Sequence, residues 1–285
     1  MQLPFFHALP PDLVVPFVLV SLFALGACLG SFLNVCIYRI PLGVSIVRPP
    51  SSCAACGAPL KAWWNLPIFG WLFLRGRAAC CGVAIDRRYP LVELAAALLL
   101  PALFWRSPWP VAAVDALFLY ALLVASLIDI DHFLIPDRLT LGGIAAGLAA
   151  SALVPALHGR ATAWAGFNAG LGGAFLGGFL LWGVVVIGTK VLKKEAMGLG
   201  DVKLLAAIGA FLGWQAVLFV IAVSSILGSL FGLAMMARGG QVWGSRLPYG
   251  PFLSLAAALW VFGGGEAAFR AIGWWQHAMG LAPHP

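Results

Sequence analysis

The sequence predicts an all-α polytopic membrane protein of about eight transmembrane helices, with one small cytosolic Cys-containing insertion. Three observations carry that prediction. Apolar runs of membrane-spanning length recur along most of the chain, and they lack strand-like alternation. Only 9% of the residues are charged and 62% are hydrophobic, whereas a soluble domain carries about 25% charged residues. A bilayer-crossing helix needs about 20 apolar residues in a row. Lipid offers no hydrogen bonds, so the backbone of such runs must satisfy itself, and it does so as helix.

In chain order, helices are predicted over 12–37, 90–105, 111–129, 139–157, 166–189, 202–213, 215–237 and 249–264. The connections 38–89, 130–138, 190–201 and 238–248, with their edges, hold fourteen of the seventeen Lys and Arg residues. Only Arg106, Arg160 and Arg270 fall on the other side. The positive-inside rule therefore places the first set in the cytosol and the N-terminus outside. Met1 to Pro11 carries no Lys or Arg, so it lacks the cationic start of a cleaved signal peptide. The 202–213 run is too short for an undisturbed bilayer; it is expected to tilt through a thinned region or to stop beside a cavity.

Four parts follow from this order: a first transmembrane helix (1–37), an insertion (38–89), a membrane core (90–264) and an outer interfacial tail (265–285) with Trp274, Trp275 and His277. The insertion is too small for a core of its own and needs a staple. Gly173 and Gly177 form a GxxxG step, which predicts close helix packing. Neither that step nor Gly170-x-Gly172 is a dinucleotide loop, because no strand precedes them. The formal charge of +7 is spread between apolar segments. That spread implies membrane lipid as the surrounding partner and excludes the dense basic and aromatic stripe of a nucleic-acid binder.

Charge at a bilayer edge is costly, so carboxylates there are informative. Asp129 ends the third apolar run, and Asp201 follows Gly198-Leu199-Gly200 at the start of the sixth. The cation pattern puts both at cytosolic helix ends. The glycines before Asp201 allow the backbone to unwind or a neighbour to approach closely. Two nearby carboxylates share a proton, so one can activate water while the other polarises a carbonyl. The other reading of each is a helix cap or a solvated edge. Asp137, after Pro136, fits a cap; Asp131 is either exposed on the connecting loop or an aid to Asp129.

Several segments resemble the type IV prepilin leader peptidase family, in the family's order. They are Gly30-Ser-Phe-Leu-Asn-Val-Cys-Ile-Tyr-Arg-Ile-Pro41, Arg88-Tyr-Pro-Leu-Val-Glu93, Ile128-Asp-Ile-Asp-His-Phe-Leu-Ile-Pro-Asp-Arg-Leu-Thr140, Glu195-Ala-Met-Gly-Leu-Gly-Asp-Val-Lys-Leu-Leu-Ala-Ala-Ile-Gly-Ala-Phe-Leu-Gly-Trp214 and Pro248-Tyr-Gly-Pro-Phe252. The resemblance implies a GxGD aspartic peptidase of the bacterial inner membrane, cutting at the cytosolic face with Asp129 and Asp201 as the catalytic pair. Gly198, Gly200, Asp131 and Lys203 stand as active-site support, although neither Asp131 nor Asp137 matches a catalytic position of the family. Prepilin and pseudopilin precursors, of the type IV pilus and type II secretion, are the implied partners. The resemblance also implies N-methylation of the new N-terminus from S-adenosylmethionine, an activity associated in the family with the insertion. Two rival readings are a presenilin-like intramembrane protease and a zinc-stabilised, non-catalytic scaffold.

Cys53-Ala-Ala-Cys56 is followed after 23 residues by Cys80-Cys81. A reducing cytosol disfavours disulfides, and four thiolates bind one zinc tetrahedrally. The adjacent pair converges less readily than a CxxC, which leaves free structural thiols as the alternative. The resembling family carries two CxxC pairs; here Ala78 stands at the third position and Cys81 at the fourth, with Cys80 as a substitute from a shifted place. Cys28 and Cys36 read as small buried residues of the first helix. Asn34, Tyr38, Arg39, Arg88 and Glu93 match family segments, and packing or interface anchoring explains them equally well.

Overall fold

A computed structural model describes residues 11–193, 197–238 and 247–278. Nearly all of the N-terminal stretch read for a signal, together with Lys194, Arg246 and the last residues of the tail, lies outside them. The helices are α1 (Pro11–Arg39), α2 (Phe69–Phe73), α3 (Arg88–Arg106), α4 (Trp109–His132), α5 (Asp137–Leu153), α6 (Ala163–Leu192), α7 (Leu199–Leu212), α8 (Trp214–Ala237), α9 (Gly250–Leu259) and α10 (Gly265–Ala278). The eight expected helices are present, with ends shifted by a few residues. Two more were not expected: α2 inside the insertion and α10 in the tail. Between α9 and α10 the chain kinks at Phe262 and Gly263 within a π turn. Among the described residues, six helices are long and apolar enough to cross a membrane, while α5 and α7 have 17 and 14 residues.

The chain divides into two units, Met1–Tyr120 and Ala121–Pro285. In the first, α1 lies along α3. A Cβ on Gly26 would stand 2.6 Å from the Ala96 carbonyl oxygen, and one on Gly30 would stand 2.7 Å from the Glu93 Cα. This pair is a second GxxxG contact. Asn34 Nδ2 donates to the Tyr89 carbonyl at 3.1 Å, so its role here is to fasten α1 to the start of α3.

In the second unit α7 explains its own brevity. Every residue from Leu204 to Phe211 is buried, packed among α5, α6, α8 and α9. A helix of that length belongs to a protein interior, where no bilayer thickness need be matched. The GxxxG expectation holds: Gly173 meets the backbone of Gly209 and Gly213, and Gly177 meets that of Leu205. Gly147 of α5 faces Ala210 and Phe211 of α7. Ser151 Oγ donates to the Ala210 carbonyl at 2.8 Å and contacts His158 Nε2 at 2.7 Å. With its own proton committed, Ser151 accepts from His158 Nε2–H. Burial and the Arg160 charge lower the pKa of this imidazole.

Candidate active site and metal centre

Asp129 occupies the last turn of α4, which ends where Phe133 adopts φ 53° and donates its N–H to the Asp129 carbonyl at 2.9 Å. The chain then turns through Ile135 into α5. Asp201 is the third residue of α7, after Gly198 as N-cap. An acidic group there complements the positive end of the helix dipole. Asp129 is 5% exposed and Asp201 9%, and each carboxylate lies within Coulombic range of the other.

Ile135 lies against the glycines beside them. A Cβ on Gly200 would lie 3.3 Å from the Ile135 Cβ, and one on Gly250 would lie 3.1 Å from its Cδ1. Of the two roles offered for the glycines before Asp201, close approach therefore applies at Gly200. No unwinding occurs, since helix begins at Leu199, and Gly198 is exposed in an extended conformation.

The N-terminus of α9 completes the site. Gly250 N–H donates to Asp129 Oδ2 at 2.9 Å, and a Cβ there would stand 2.8 Å from that oxygen. The preceding Tyr249 shares a hydrogen bond of 2.8 Å with Ser224 Oγ on α8. That contact holds the turn that aims the Gly250 N–H. Tyr249→Phe is expected to slow the chemistry of this site about fivefold, the worth of one hydrogen bond of about 1 kcal/mol. Single-turnover rates would check this, and an unchanged rate would mean that the tyrosine only packs. The segment Pro248 to Phe252 stands out in the sequence only by its family resemblance. The usable signal was Gly-Pro opening an apolar run, which marks a helix start whose free N–H groups face an anion.

An expected cap, Asp137, and two expected supports, Lys203 and Asp131, are placed differently. Asp137 is not the cap of α5; Pro136 holds that position. One residue further in, Asp137 instead takes Lys203 Nζ at 2.6 Å, with the two side chains 61% and 34% exposed. The contact assigned to Lys203 thus joins α5 to α7 rather than touching the buried pair. Asp131 is exposed, because two residues along a helix lead to nearly the opposite face. Asp115, not singled out in the sequence, is buried in the first half of α4 within range of the Arg106 charge.

The cysteine cluster forms in the first unit. The Sγ atoms of Cys53, Cys56, Cys80 and Cys81 all lie within 4.8 Å of one another. The pairs Cys53–Cys81, Cys56–Cys80 and Cys80–Cys81 are separated by 3.7, 3.4 and 3.9 Å. A zinc–sulfur bond of about 2.3 Å sets the edges of a tetrahedron at about 3.8 Å, so the four sulfurs fit that ion.

Two matching loops build the cluster. In one, Cys53 N–H donates to the Ala58 carbonyl and Gly57 N–H to that of Cys53; in the other, Ala78 N–H donates to Val83 and Gly82 N–H to Ala78. Gly57 and Gly82 have φ of 72° and 73°, a conformation that favours glycine. Ala78 therefore holds the place that Cys53 holds in its own loop, and Cys81 that of Cys56. Cys80, at the tip, supplies the fourth sulfur that Ala78 lacks. Adjacent cysteines converge here because the turn aims both at one point.

The backbone N–H groups of Cys56 and Ala55 hold the Cys53 thiol down to about 6. The Cys56 and Cys53 side chains push Cys80 up to about 12. A divalent cation removes that conflict by stabilising all four thiolates.

A third feature of the insertion went unread in the sequence. The side chain of Glu93, 9% exposed, accepts the Ile68 N–H at 2.6 Å. Ile68 has φ 64° and ψ −56°, and Phe69 N–H donates to the Pro67 carbonyl. This is a γ-turn of the strained hand, rare for a β-branched residue.

Residues 24–107 match the Bacterial Peptidase A24 N-terminal domain, and residues 116–233 match the Type IV leader peptidase family. A prepilin leader peptidase/N-methyltransferase of Myxococcus xanthus is 41% identical over 242 residues, covering 82% of this chain and 68% of the relative. One from Pseudomonas putida is 37% identical over 268 residues, covering 85% and 89%. One from Burkholderia pseudomallei is 34% identical over 287 residues, covering 91% and 88%. No solved structure matches the chain.

Proposed function

From the chain's membership of the type IV prepilin leader peptidase family, we propose that Asp129 and Asp201 are an aspartic peptidase pair at the cytosolic face of the inner membrane. Its substrates are prepilins and pseudopilins, cut between a basic leader and an apolar helix, and the new N-terminus is then methylated. The observation that supports this reading is the buried pair itself: Asp129 of α4 and Asp201 of α7 are both buried within Coulombic range of each other, and Asp129 accepts a hydrogen bond from a helix N-terminus.

Facing carboxylates cannot comfortably both ionise, so the pair holds one proton between them. The ionised member takes a proton from water, whose oxygen bonds to the scissile carbonyl carbon. The protonated member donates a hydrogen bond to the carbonyl oxygen. The pair then gives a proton to the amide nitrogen, the C–N bond breaks, and the leader leaves as a carboxylic acid. Gly250 N–H keeps Asp129 in one rotamer throughout. The released amine is the methyl acceptor, and it gives up a proton to water when it is methylated. S-adenosylmethionine supplies the activated methyl group.

Zinc is the ion that the four cysteines suit. A closed four-sulfur site leaves no open position for substrate, so its role is to fasten the insertion. Intact mass spectrometry of a prepilin incubated with the purified protein tests the whole reading. The leader is lost in all mixtures, and the mature chain gains a methyl only when S-adenosylmethionine is present. An uncut precursor in the presence of folded protein would overturn it. Removing the metal with a chelator is expected to abolish methylation and leave cleavage within about twofold, because the cysteines fasten only the insertion. Equal loss of both activities would refute that separation.

A further inference from the structure

The insertion does not stand clear of the two spans that carry it. Ile68 N–H donates to the Glu93 carboxylate at 2.6 Å, and the Ser31 side chain bonds the same carboxylate. Ser31 lies inside the span of α1, and Glu93 inside that of α3. At a rise of 1.5 Å per residue, Ser31 is about 12 Å short of the Arg39 end of α1. A cavity of about 360 Å³ follows the same stretch. Cys28, Phe32 and Arg39 of α1 line it together with Pro49, Asn65 and Pro67 of the insertion. The insertion therefore folds back along α1 and α3 instead of projecting from their ends.

That depth can be set against a bilayer. The span Val14–Arg39 has 26 residues, and about 20 fill the hydrocarbon core. Counted from Val14, the core ends near Leu33. The layer of Ser31, Glu93 and Ile68 thus falls at the boundary between acyl chains and headgroups, where Glu93 satisfies an N–H that lipid could not.

α2 starts at the next residue, Phe69. Its inner side is committed: a Cβ on Gly70 would stand 2.5 Å from the Trp64 carbonyl oxygen, and Trp71 Nε1–H donates to the Ile85 carbonyl at 3.1 Å. Its outer side is not. Phe69, Leu72 and Phe73 are 53%, 54% and 78% exposed, and the preceding Trp63 is 74% exposed. The Phe69 and Phe73 rings stack at 6.3 Å. Large apolar side chains grouped in this way mark an interaction surface.

The surrounding charges name the partner. Residues 38–89 hold seven Lys and Arg against one acid, Asp86, and Asp86 accepts the Arg88 N–H at 2.9 Å. Lys61, Arg75 and Arg77 flank the apolar residues in sequence and are exposed, with Lys61 Nζ 5.2 Å from the Trp64 ring centre. No acid occurs between Lys61 and Arg77. Aromatic rings bordered by cations suit the headgroup level, where the rings enter the acyl boundary and the cations meet phosphates. A soluble acidic protein would match the charges but could not reach this depth.

We propose that α2 and Trp63 anchor the insertion in the bilayer interface, with Trp63, Phe69, Leu72 and Phe73 among the uppermost acyl carbons and Lys61, Arg75 and Arg77 at the lipid phosphates. The occupant of this face is phospholipid.

The test reconstitutes the full-length protein in vesicles of phosphatidylethanolamine and phosphatidylglycerol, doped with a phospholipid that carries a photoactivatable group near its glycerol. Illumination and peptide mapping read which segments touch lipid, and label on α1 serves as the internal standard. The peptide from Trp63 to Phe73 is expected to be labelled. Phe69→Ser with Phe73→Ser should lower its label at least about fivefold relative to α1, because moving one large apolar side chain out of water is worth about tenfold or more. Thermal unfolding shows whether that protein is folded. If it is not, Phe73→Ser alone, at the most exposed of the four positions, should still lower the label about threefold. Label on the spans but none on this peptide overturns the anchor. Equal label in the wild-type protein and a folded variant overturns it too, since the aromatic side chains would then not hold the segment there. Crosslinks between two copies through this peptide, in place of lipid label, would make the face an oligomer contact and likewise overturn it.

Discussion

Asp201→Asn is expected to leave a prepilin uncut, with the single-turnover rate reduced about a thousandfold or more, the scale of lost acid–base catalysis. The amide keeps the shape of the carboxyl but can neither accept a proton from water nor return one to the leaving amine. Asp129→Asn should behave alike. The double variant should lose little beyond either single one, because the two groups act as a unit. Stability should move in a different way. If Asp201 served only as the acid of a helix first turn, its loss would cost the dipole contribution of about 0.3–1 kcal/mol and spare catalysis. In the pair reading, neutralising one of two buried carboxylates relieves their repulsion and offsets that loss. Thermal unfolding beside the cleavage assay separates the two. Near-wild-type cleavage by a less stable Asp201→Asn protein would end the pair assignment.

Much of this site was legible because membrane sequences announce where charge is unusual. Asp129 and Asp201 stand out at the ends of apolar runs, and the cations around them give the expectation of a cytosolic face. The support residues were harder to read. Nothing in Lys203 or Asp137 announces that they pair across two helices, since that contact depends on how α5 and α7 lie side by side. Gly250 acts through its backbone N–H, which no side-chain pattern records. The brevity of α7 was visible, but its cause was not: its apolar residues face other helices, and hydropathy alone does not separate lipid from protein neighbours.

The cysteine cluster shows the same limit on a smaller scale. Spacing predicted a good knuckle at Cys53 and Cys56 and a poor one at Cys80 and Cys81. Both expectations treat a loop as a string of positions. In the folded loop Ala78 takes the place of a ligand, and the turn at Gly82 brings Cys80 and Cys81 to the same point. A cavity of about 480 Å³ beside it was invisible to any linear reading, because its walls come from both cysteine loops, the segment between them and α3.

The crossing of α6 and α7 supplies the other large expected effect. Gly173→Val should destabilise the protein by about 3 kcal/mol or more, at or beyond the upper end of overpacking effects in a close-packed interior. The new Cβ would meet the backbone of Gly209 and Gly213, and no side-chain rotamer can relieve a backbone contact. The helices must separate, and separation displaces α7, which carries Asp201 in its first turn. Cleavage should therefore fall along with stability. The neighbouring position provides the control. A Cβ on Gly172 meets nothing within 4 Å, so Gly172→Val should shift stability by only about 0.5 kcal/mol. Both variants add the same atoms to adjacent positions of one helix, so their intrinsic helix preference is equal. Thermal unfolding and cleavage rates of the two, measured in the same detergent, isolate the crossing. Equal damage from both would mean that α6 tolerates valine poorly as a helix. Damage at Gly173 alone would show that the contact with α7 holds Asp201 in position.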